Sequence, residues 1–302
     1  MYINPYANLK NSQGHCQGQW IKTNFHTHAG TGAGTCGRNP IDVVLSLYRD
    51  LNYGAVCISN HDLYTNTSEL SDDKLYLIQG VEYSNESHML TIGVNKSMHE
   101  LSHQDAVDET LKQGGFTILC HPNWQHKEYW TYKDIDALDG YAGIEVINML
   151  IYFLNGSGLA TDTWDYILRQ GKLKFGFGND DFHMPFHAGR SYTDIYAKEK
   201  NYAGIKEAID NGRFTASTGL SLEYLDLSEN NIIKAKVKFP TETYVKLFNY
   251  KFISENGVVF ESYGETAEYK ITDENYIRVE AIAENGAMLF AQPVYKKEFF
   301  NN

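Results

Sequence analysis

The positions of the histidines and acidic residues constrain the fold of this chain more than any other feature, because they follow short apolar or β-branched segments. The residues that end or follow five such segments are His26 and His28, then His61, Glu82 and His121, and finally Asp180, Asp181 and His183. In a barrel or a doubly wound sheet, the carboxyl ends of the strands share one face. The spacing therefore predicts that these side chains converge, although they are spread from position 26 to position 183.

The segment from about 20 to about 219 alternates strand-like and helical patterns, which is typical of an α/β domain with a largely parallel sheet or barrel. Strands are predicted over 20–25, 54–59, 75–81, 89–94, 116–120, 143–147 and 173–178, and helices over 40–51, 102–111, 162–170 and 202–211. Asn39 and Pro40 supply a cap and a first-turn proline for the first helix.

After Gly219 the pattern changes to alternation with period two, which indicates antiparallel strands. Strands are predicted over 222–227, 232–239, 244–250, 268–271 and 276–282, and Glu284-Asn285-Gly286 is a hairpin signal. We therefore expect two domains, an α/β unit over 1–220 and a small antiparallel, β-sandwich-like domain over 221–302.

Charge and composition narrow the class of protein. The 302 residues include 26 Lys and Arg against 38 Asp and Glu, so the formal net charge is −12. This field repels polyanions, and nucleic acid is not expected as a partner except as short oligonucleotides. The four cysteines have no C-x-x-C spacing, and we expect reduced, inert thiols. No secretory or membrane-spanning apolar run occurs, so a cytoplasmic protein without membrane contact is expected, and the sequence specifies no oligomeric state.

Imidazoles together with two or three carboxylates are what divalent cations bind in proteins. The pair His26 and His28 can place both rings near one ion, and a carboxylate such as Glu82 can bridge two ions. Any one of these histidines alone is more often a core residue bonded to a backbone carbonyl. Five separate strand ends with metal-type residues favour a metal centre over that alternative.

Five motifs, taken in order, resemble those of the polymerase and histidinol phosphatase (PHP) superfamily of metal-dependent phosphoesterases. They are Asn24-Phe25-His26-Thr27-His28, Ser59-Asn60-His61-Asp62, Gly80-Val81-Glu82-Tyr83-Ser84, Cys120-His121-Pro122-Asn123 and Asn179-Asp180-Asp181-Phe182-His183. The resemblance covers roughly residues 20–220 and implies a distorted seven-stranded (β/α)7 barrel with two or three divalent ions, usually Mn, Fe or Zn. The segment after 220 is similar to a β domain appended in a two-domain subgroup.

The resemblance also implies a ligand set. His26, His28, Glu82 and Asp181 would hold one ion, Glu82 would bridge to a second ion held by His121, and His61 and His183 would serve a third ion or the open side of the pair. His88 falls where some members of the superfamily carry a ligand.

The chain departs from the family pattern at two places. The loop 29–37 contains no carboxylate or imidazole where members commonly have one, so two ions are expected at rest. Asn60 stands where an aspartate usually precedes the histidine, which is expected to weaken the support of His61.

The function expected from this resemblance is hydrolysis of a small phosphomonoester or phosphodiester by hydroxide held between two ions. Asp62 is a candidate general acid, with a ligand or a supporting role as the alternatives, and Arg190 or Arg38 is a candidate phosphate clamp. Two other functions stay open at this stage. They are a nuclease acting on short oligonucleotides and a noncatalytic protein that binds metal or another ligand.

Overall fold

Strands and helices alternate through the first two thirds of the chain, and strands follow one another in the last third. The structure, a computed structural model, describes residues 1–7, 9, 16–36, 38–126, 129–241 and 243–300. The strands of the first part are β1 (Tyr2–Ile3), β2 (Gln19–Asn24), β3 (Ala55–Cys57), β4 (Tyr76–Ile78), β5 (Gly80–Tyr83), β6 (Met89–Ile92), β7 (Phe116–Leu119), β8 (Gly143–Asn148), β9 (Phe175–Asn179), β10 (Tyr192–Ala197) and β11 (Phe214–Ser217). The helices are α1 (Ile41–Asp50), α2 (His103–Lys112), α3 (Tyr132–Ala137), α4 (Thr161–Arg169) and α5 (Tyr202–Asp210).

The remaining strands form the carboxyl-terminal part of the molecule. They are β12 (Ser221–Leu227), β13 (Ile232–Lys238), β14 (Phe248–Ser254), β15 (Gly257–Gly264), β16 (Ala267–Lys270), β17 (Tyr276–Ala283), β18 (Met288–Ala291) and β19 (Val294–Lys296). They pair in the antiparallel sense, as predicted. The predicted hairpin at Glu284-Asn285-Gly286 is confirmed, because the Ala283 N–H donates to the Ala287 carbonyl at 2.8 Å and β17 pairs with β18.

Local signals placed the helices well. The Ser102 side chain accepts a hydrogen bond from the Asp105 N–H and caps α2, where the sequence predicts a helix start. Helix α4 buries Trp164, Ile167 and Leu168, three residues that share one helical face. Helix α3 was not predicted, since its six residues are too few to establish a helical period.

The predicted mixed α/β architecture is confirmed, but the sheets are not closed. Strands β2, β3 and β4 are parallel in one sheet, and β5 to β9 form a second sheet in which β5–β6 and β6–β7 are antiparallel. The predicted strand 75–81 is therefore two strands, broken at Gln79 and assigned to different sheets. Strands β10 and β11 were not predicted. Strand β10 pairs antiparallel with β2 and β11 pairs antiparallel with β10, so the sheet is not largely parallel. The seven-stranded barrel remains a prediction.

Two isolated parallel bridges join the two sheets at the carboxyl ends of their strands. They pair Thr27 with Phe182 and His61 with Glu82. Beneath this junction, the Phe25 ring packs edge to face against Phe116 and Phe177. The predicted metal-binding residues therefore lie where the sheets meet above an aromatic core.

The carboxyl-terminal strands extend the first sheet. Strand β18 pairs with β11, so the sheet that carries β2 and β3 continues through β17 and β14. Strands β12, β13 and β16 form a third sheet. Among the helices of the described ranges, none combines the length and the hydropathy that crossing a lipid bilayer requires.

Candidate metal centre

The structure brings together all eight residues predicted to bind metal. They come from the loop after β2 (His26, His28), the loop after β3 (His61), strand β5 (Glu82), the turn before β6 (His88), the loop after β7 (His121) and the loop after β9 (Asp181, His183). Each histidine of this group has a ring nitrogen within 4.0 Å of a carboxylate oxygen of Glu82 or Asp181. The expected convergence of strand ends is therefore present.

Four buried polar atoms at the centre of this cluster have no hydrogen-bond partner among the described residues. They are His26 Nε2, His28 Nε2, Glu82 Oε2 and Asp181 Oδ1. The two imidazole nitrogens lie 3.1–3.4 Å from both carboxylate oxygens. Ligand bonds of about 2.0–2.2 Å put neighbouring donor atoms about 2.9–3.6 Å apart, so these separations fit donors around one divalent ion.

The second oxygen of Glu82 faces a different set of donors. Glu82 Oε1 lies 2.9 Å from His88 Nδ1 and 3.5 Å from His121 Nε2. His121 Nε2 is also 3.7 Å from Asp181 Oδ2. Each oxygen of Glu82 therefore points to its own group of imidazoles.

The charges in the cluster are mutually dependent. Burial alone would raise the pKa of Glu82, but the imidazoles of His26, His61 and His88 hold it well below its usual value. Burial alone would lower the pKa of His26, but Asp181, Glu82 and Glu145 raise it well above its usual value. Both directions express the same requirement, since buried carboxylates need positive charge close by.

Glu145, on strand β8, is a residue of the centre that the sequence analysis missed. Its Oε1 lies 2.8 Å from His26 Nδ1 and accepts from Asn179 Nδ2 at 2.9 Å, and its Oε2 accepts from Asn148 Nδ2 and the His121 N–H, each at 2.8 Å. A carboxylate on the far nitrogen of an imidazole orients the ring and makes the near nitrogen a better ligand. The available signal was a single carboxylate inside the buried segment Gly143–Asn148.

Cys36 was also missed. Its sulfur lies 3.1 Å from His28 Nδ1 and 3.6 Å from His183 Nε2. Burial acts to raise its pKa, but hydrogen bonds from His183, His28 and His61 lower the pKa of this half-buried thiol to about 4. The expectation of an inert thiol does not describe this cysteine. Gly37, at the end of the same loop, lies outside the described residues.

Three residues of the centre adopt backbone angles that L-amino acids rarely use. The φ angles of Asp62, His121 and Asp181 are 49°, 31° and 51°. Left-handed φ at a non-glycine residue costs on the order of 1–3 kcal/mol and is concentrated at functional sites. Here the strained residues lie in the loops that follow strands and carry the polar cluster.

Of the two predicted catalytic residues, Asp62 contacts the edge of the centre through Ser84, whereas the described contact of the Arg190 side chain lies outside it. Asp62 Oδ1 accepts from the Ser84 N–H at 3.0 Å, Asp62 Oδ2 lies 3.3 Å from His99 Nδ1, and the Ser84 hydroxyl is 2.6 Å from His61 Nδ1. The exposed Arg190 side chain donates to the Phe186 carbonyl. Within the described ranges, neither side chain is bonded to Glu82 or Asp181.

Asn60 does not support His61 directly. Its Oδ1 accepts from the Ala29 N–H at 3.0 Å, and its Nδ2 donates to the Ala29 carbonyl at 2.9 Å and to Thr65 Oγ1 at 3.0 Å. An aspartate has no N–H to donate to that carbonyl. Asparagine therefore fits this position because it holds the loop that follows His28.

Among solved structures, this architecture has a counterpart that spans nearly the whole molecule. A two-domain protein from Bacteroides vulgatus, described as containing a predicted PHP-like metal-dependent phosphoesterase, is 18% identical, with a TM-score of 0.53 over 89% of this chain and 92% of its own. This chain has a PHP-like fold. No family model and no curated protein matches the sequence.

Two structures of Endonuclease Q match a smaller part of this chain. One is a complex with a duplex that contains an abasic lesion, and it is 14% identical over 64% of this chain and 57% of its own, with a TM-score of 0.46. The other, from Pyrococcus furiosus, is 14% identical over 63% of this chain and 56% of its own, with a TM-score of 0.45.

Proposed function

We propose that this protein is a metal-dependent phosphoesterase that hydrolyses a small phosphorylated substrate. The proposal is carried by the four buried, unpartnered donor atoms of His26, His28, Glu82 and Asp181, which lie at the spacing of ligands around a divalent ion. Leaving such atoms buried without partners costs about 1–3 kcal/mol each or more. A cation held by these four atoms offsets this cost.

The donor types favour Mn, Fe or Zn, because imidazole nitrogen together with carboxylate oxygen suits these ions. Two ions on the two oxygens of Glu82, with a third on His61 and His183, is the arrangement we propose. When bound, they would neutralise charge on the phosphoryl oxygens and activate water for attack on phosphorus.

The residues around the ions have separate tasks. Glu145 and its two asparagine partners fix the ring of His26, and Tyr129 OH, 2.8 Å from His121 Nδ1, fixes the ring of His121. The half-buried edges of His61 and His183 leave the centre open on one side. A substrate phosphate approaching from this side meets both imidazoles.

Asp62 and Arg190 are proposed as a proton donor and a phosphate clamp, respectively. If Asp62 protonates the leaving group, Asp62→Asn slows esters with poor leaving groups and spares those with good ones. Arg190→Lys is expected to keep the ion content and to raise KM, because it retains charge but loses the planar guanidinium. An equal loss for both classes of ester, or a loss of ions, would instead place Asp62 in the support of His61 through Ser84.

The decisive experiment starts from protein stripped by a chelator and reloaded separately with Mn, Fe or Zn. We expect hydrolysis of p-nitrophenyl phosphate or bis-p-nitrophenyl phosphate to return with the ions, and Glu82→Gln to lower the rate by at least about 10²-fold. Glu69→Gln, at an exposed glutamate, is the matched control. Faster cleavage of short oligonucleotides would identify a nuclease, and ion binding without any hydrolysis would identify a noncatalytic protein.

A further inference from the structure

The loop that follows His28 contains Cys36, and this thiol faces three imidazoles. One donor atom from each of Cys36, His28, His61 and His183 lies within 4.8 Å of the other three. Three of its members, Cys36, His61 and His183, are half-buried, whereas His28 is buried, and His28 and His61 also lie near Glu82. The loop offers no carboxylate or imidazole, so the sulfur is its available metal-type donor.

The distances from the Cys36 sulfur to two imidazole nitrogens correspond to two different kinds of contact. For a tetrahedral ion with bonds of about 2.3 Å to sulfur and about 2.0–2.1 Å to nitrogen, the sulfur and nitrogen donors are about 3.5–3.6 Å apart. Cys36 Sγ lies 3.6 Å from His183 Nε2, which matches this separation. It lies only 3.1 Å from His28 Nδ1, which suits a direct N–H to sulfur hydrogen bond.

The other nitrogens of the two outer imidazoles are already engaged. His183 Nδ1 is 3.1 Å from the Asp181 carbonyl oxygen, and His61 Nδ1 is 2.6 Å from the Ser84 hydroxyl. A ring whose Nδ1 carries the proton presents an Nε2 lone pair to a metal. Both rings therefore keep Nε2 for an ion beside Cys36.

We infer that Cys36 is a thiolate ligand of the third divalent ion, which His61 and His183 also hold, and that the same sulfur accepts the Nδ1–H of His28. A donor set of one sulfur and two nitrogens favours Zn²⁺ or Fe²⁺ over Mn²⁺ or Mg²⁺. The inference adds a ligand to the metal centre of the proposed function. It rests on the proposed function for what the ion does. It also replaces the two-ion resting state expected from the sequence with a three-ion state.

The test uses the full chain loaded with Co²⁺, because a thiolate bound to Co²⁺ gives a near-ultraviolet sulfur-to-cobalt charge-transfer band. We expect this band in the unaltered protein and in Cys16→Ser, whose cysteine is exposed, and its loss in Cys36→Ser. We also expect Cys36→Ser to bind one Zn²⁺ equivalent fewer by elemental analysis. Iodoacetamide should label Cys36 in the chelator-treated protein and be blocked when Zn²⁺ is bound.

Fully Co²⁺-loaded unaltered protein without the band would overturn the inference, whether or not the variant folds. So would a Cys36→Ser protein that binds as much Zn²⁺ as the unaltered chain. Neither readout requires hydrolysis. Hydrolysis without the band would contradict the thiolate ligand and leave the proposed function intact. The band without hydrolysis would support the thiolate ligand and contradict the proposed function.

Discussion

The Glu145 carboxylate contacts several residues of this centre at once. It accepts four hydrogen bonds, from His26, Asn148, Asn179 and the His121 backbone, and it is buried. Every one of its contacts serves a predicted ligand or a residue beside one. At the residue scale, the hydrogen bonds that orient a predicted ligand therefore depend on particular residues, as the ligand position does.

Glu145→Gln should weaken metal binding by about 10–100-fold, because the amide removes the charge behind His26 and turns one N–H₂ toward existing donors. Calorimetric titration of Zn²⁺ into the stripped protein measures the change. Glu229→Gln, at an exposed glutamate, should bind as the unaltered protein does. Equal affinity in Glu145→Gln would show that His26 needs no carboxylate behind it.

Asp194, on β10, makes stability depend on pH in a region away from the ions. Burial raises its pKa to about 7, and Lys22 opposes this shift only in part. The carboxyl keeps its proton in the folded state while the unfolded chain loses it near its ordinary value. The contribution to stability is therefore present below about pH 4 and is lost as the pH rises to about 7.

Asp194→Asn mimics the protonated form and should remove this dependence. Between about pH 5 and about pH 8, the variant should gain about 2–3 kcal/mol in the free energy of unfolding relative to the unaltered protein. Urea unfolding of both proteins with a chelator present gives the difference. If the free energy of unfolding of the two proteins changed in parallel with pH, Asp194 would be ionised in the folded protein without loss of stability.

At the scale of elements, the centre depends on the close pairing of β8 and β9, which leaves no space for a side chain at Gly143. Gly143 begins β8, which pairs with β9, and these strands carry Glu145 and lead to Asp181. A Cβ at Gly143 would lie 2.0 Å from the Phe175 carbonyl oxygen. The close approach of the two strands is therefore a condition for the geometry at their carboxyl ends.

Gly143→Ala should lower the free energy of unfolding by several kcal/mol and reduce metal affinity, since the two strands must separate. Gly32→Ala is the control, because a Cβ there meets nothing within 4 Å. Urea unfolding and metal titration report the two effects. A Gly143→Ala protein as stable as the control would mean that β8 and β9 shift without disturbing the centre.

At the scale of the whole molecule, the carboxyl-terminal strands are bonded to the α/β part by buried polar groups. The Gln292 amide accepts from the Gly176 N–H at 2.9 Å and donates to the Gly176 carbonyl at 2.8 Å. Buried Arg278 binds Asp165 of α4 through two bonds of 2.6 and 2.9 Å, and its guanidinium lies over the Trp164 ring. The proposed boundary near residue 220 therefore separates two units that share a sheet and a polar interface.

Full-length protein should unfold in a single calorimetric transition, because removing either unit leaves buried charges and backbone groups unpaired. For the same reason, a chain ending at Gly219 should lose cooperative folding, since the edge of β11 and the Gly176 backbone become exposed. Two resolved transitions, or a folded truncated chain that binds ions, would establish that the α/β unit is independent.

Much of this protein is determined locally and can be inferred from the chain alone. Periodicity located α1, α2, α4 and α5, the Ser102 cap marked the start of α2, and the Asn-Gly turn located the β17–β18 hairpin, because each depends on neighbours in sequence. The predicted Asn39 cap of α1 is wrong, since Pro40 occupies the cap position and the Asn39 side chain donates to the His183 carbonyl. Seven of the eight residues predicted to bind metal lie at or just after strand ends, and this pattern in the sequence predicted that they converge. His88, in the turn before β6, was named from the family resemblance instead.

Only the tertiary structure decided which distant residues meet. Cys36 and Glu145 belong to the centre because their elements pack against His183 and His26, and neither residue type signals this by itself. The break at Gln79 and the antiparallel β10 and β11 depend on which strand lies beside which. Such choices are set by packing and hydrogen bonds between segments far apart in the chain, which no local pattern records.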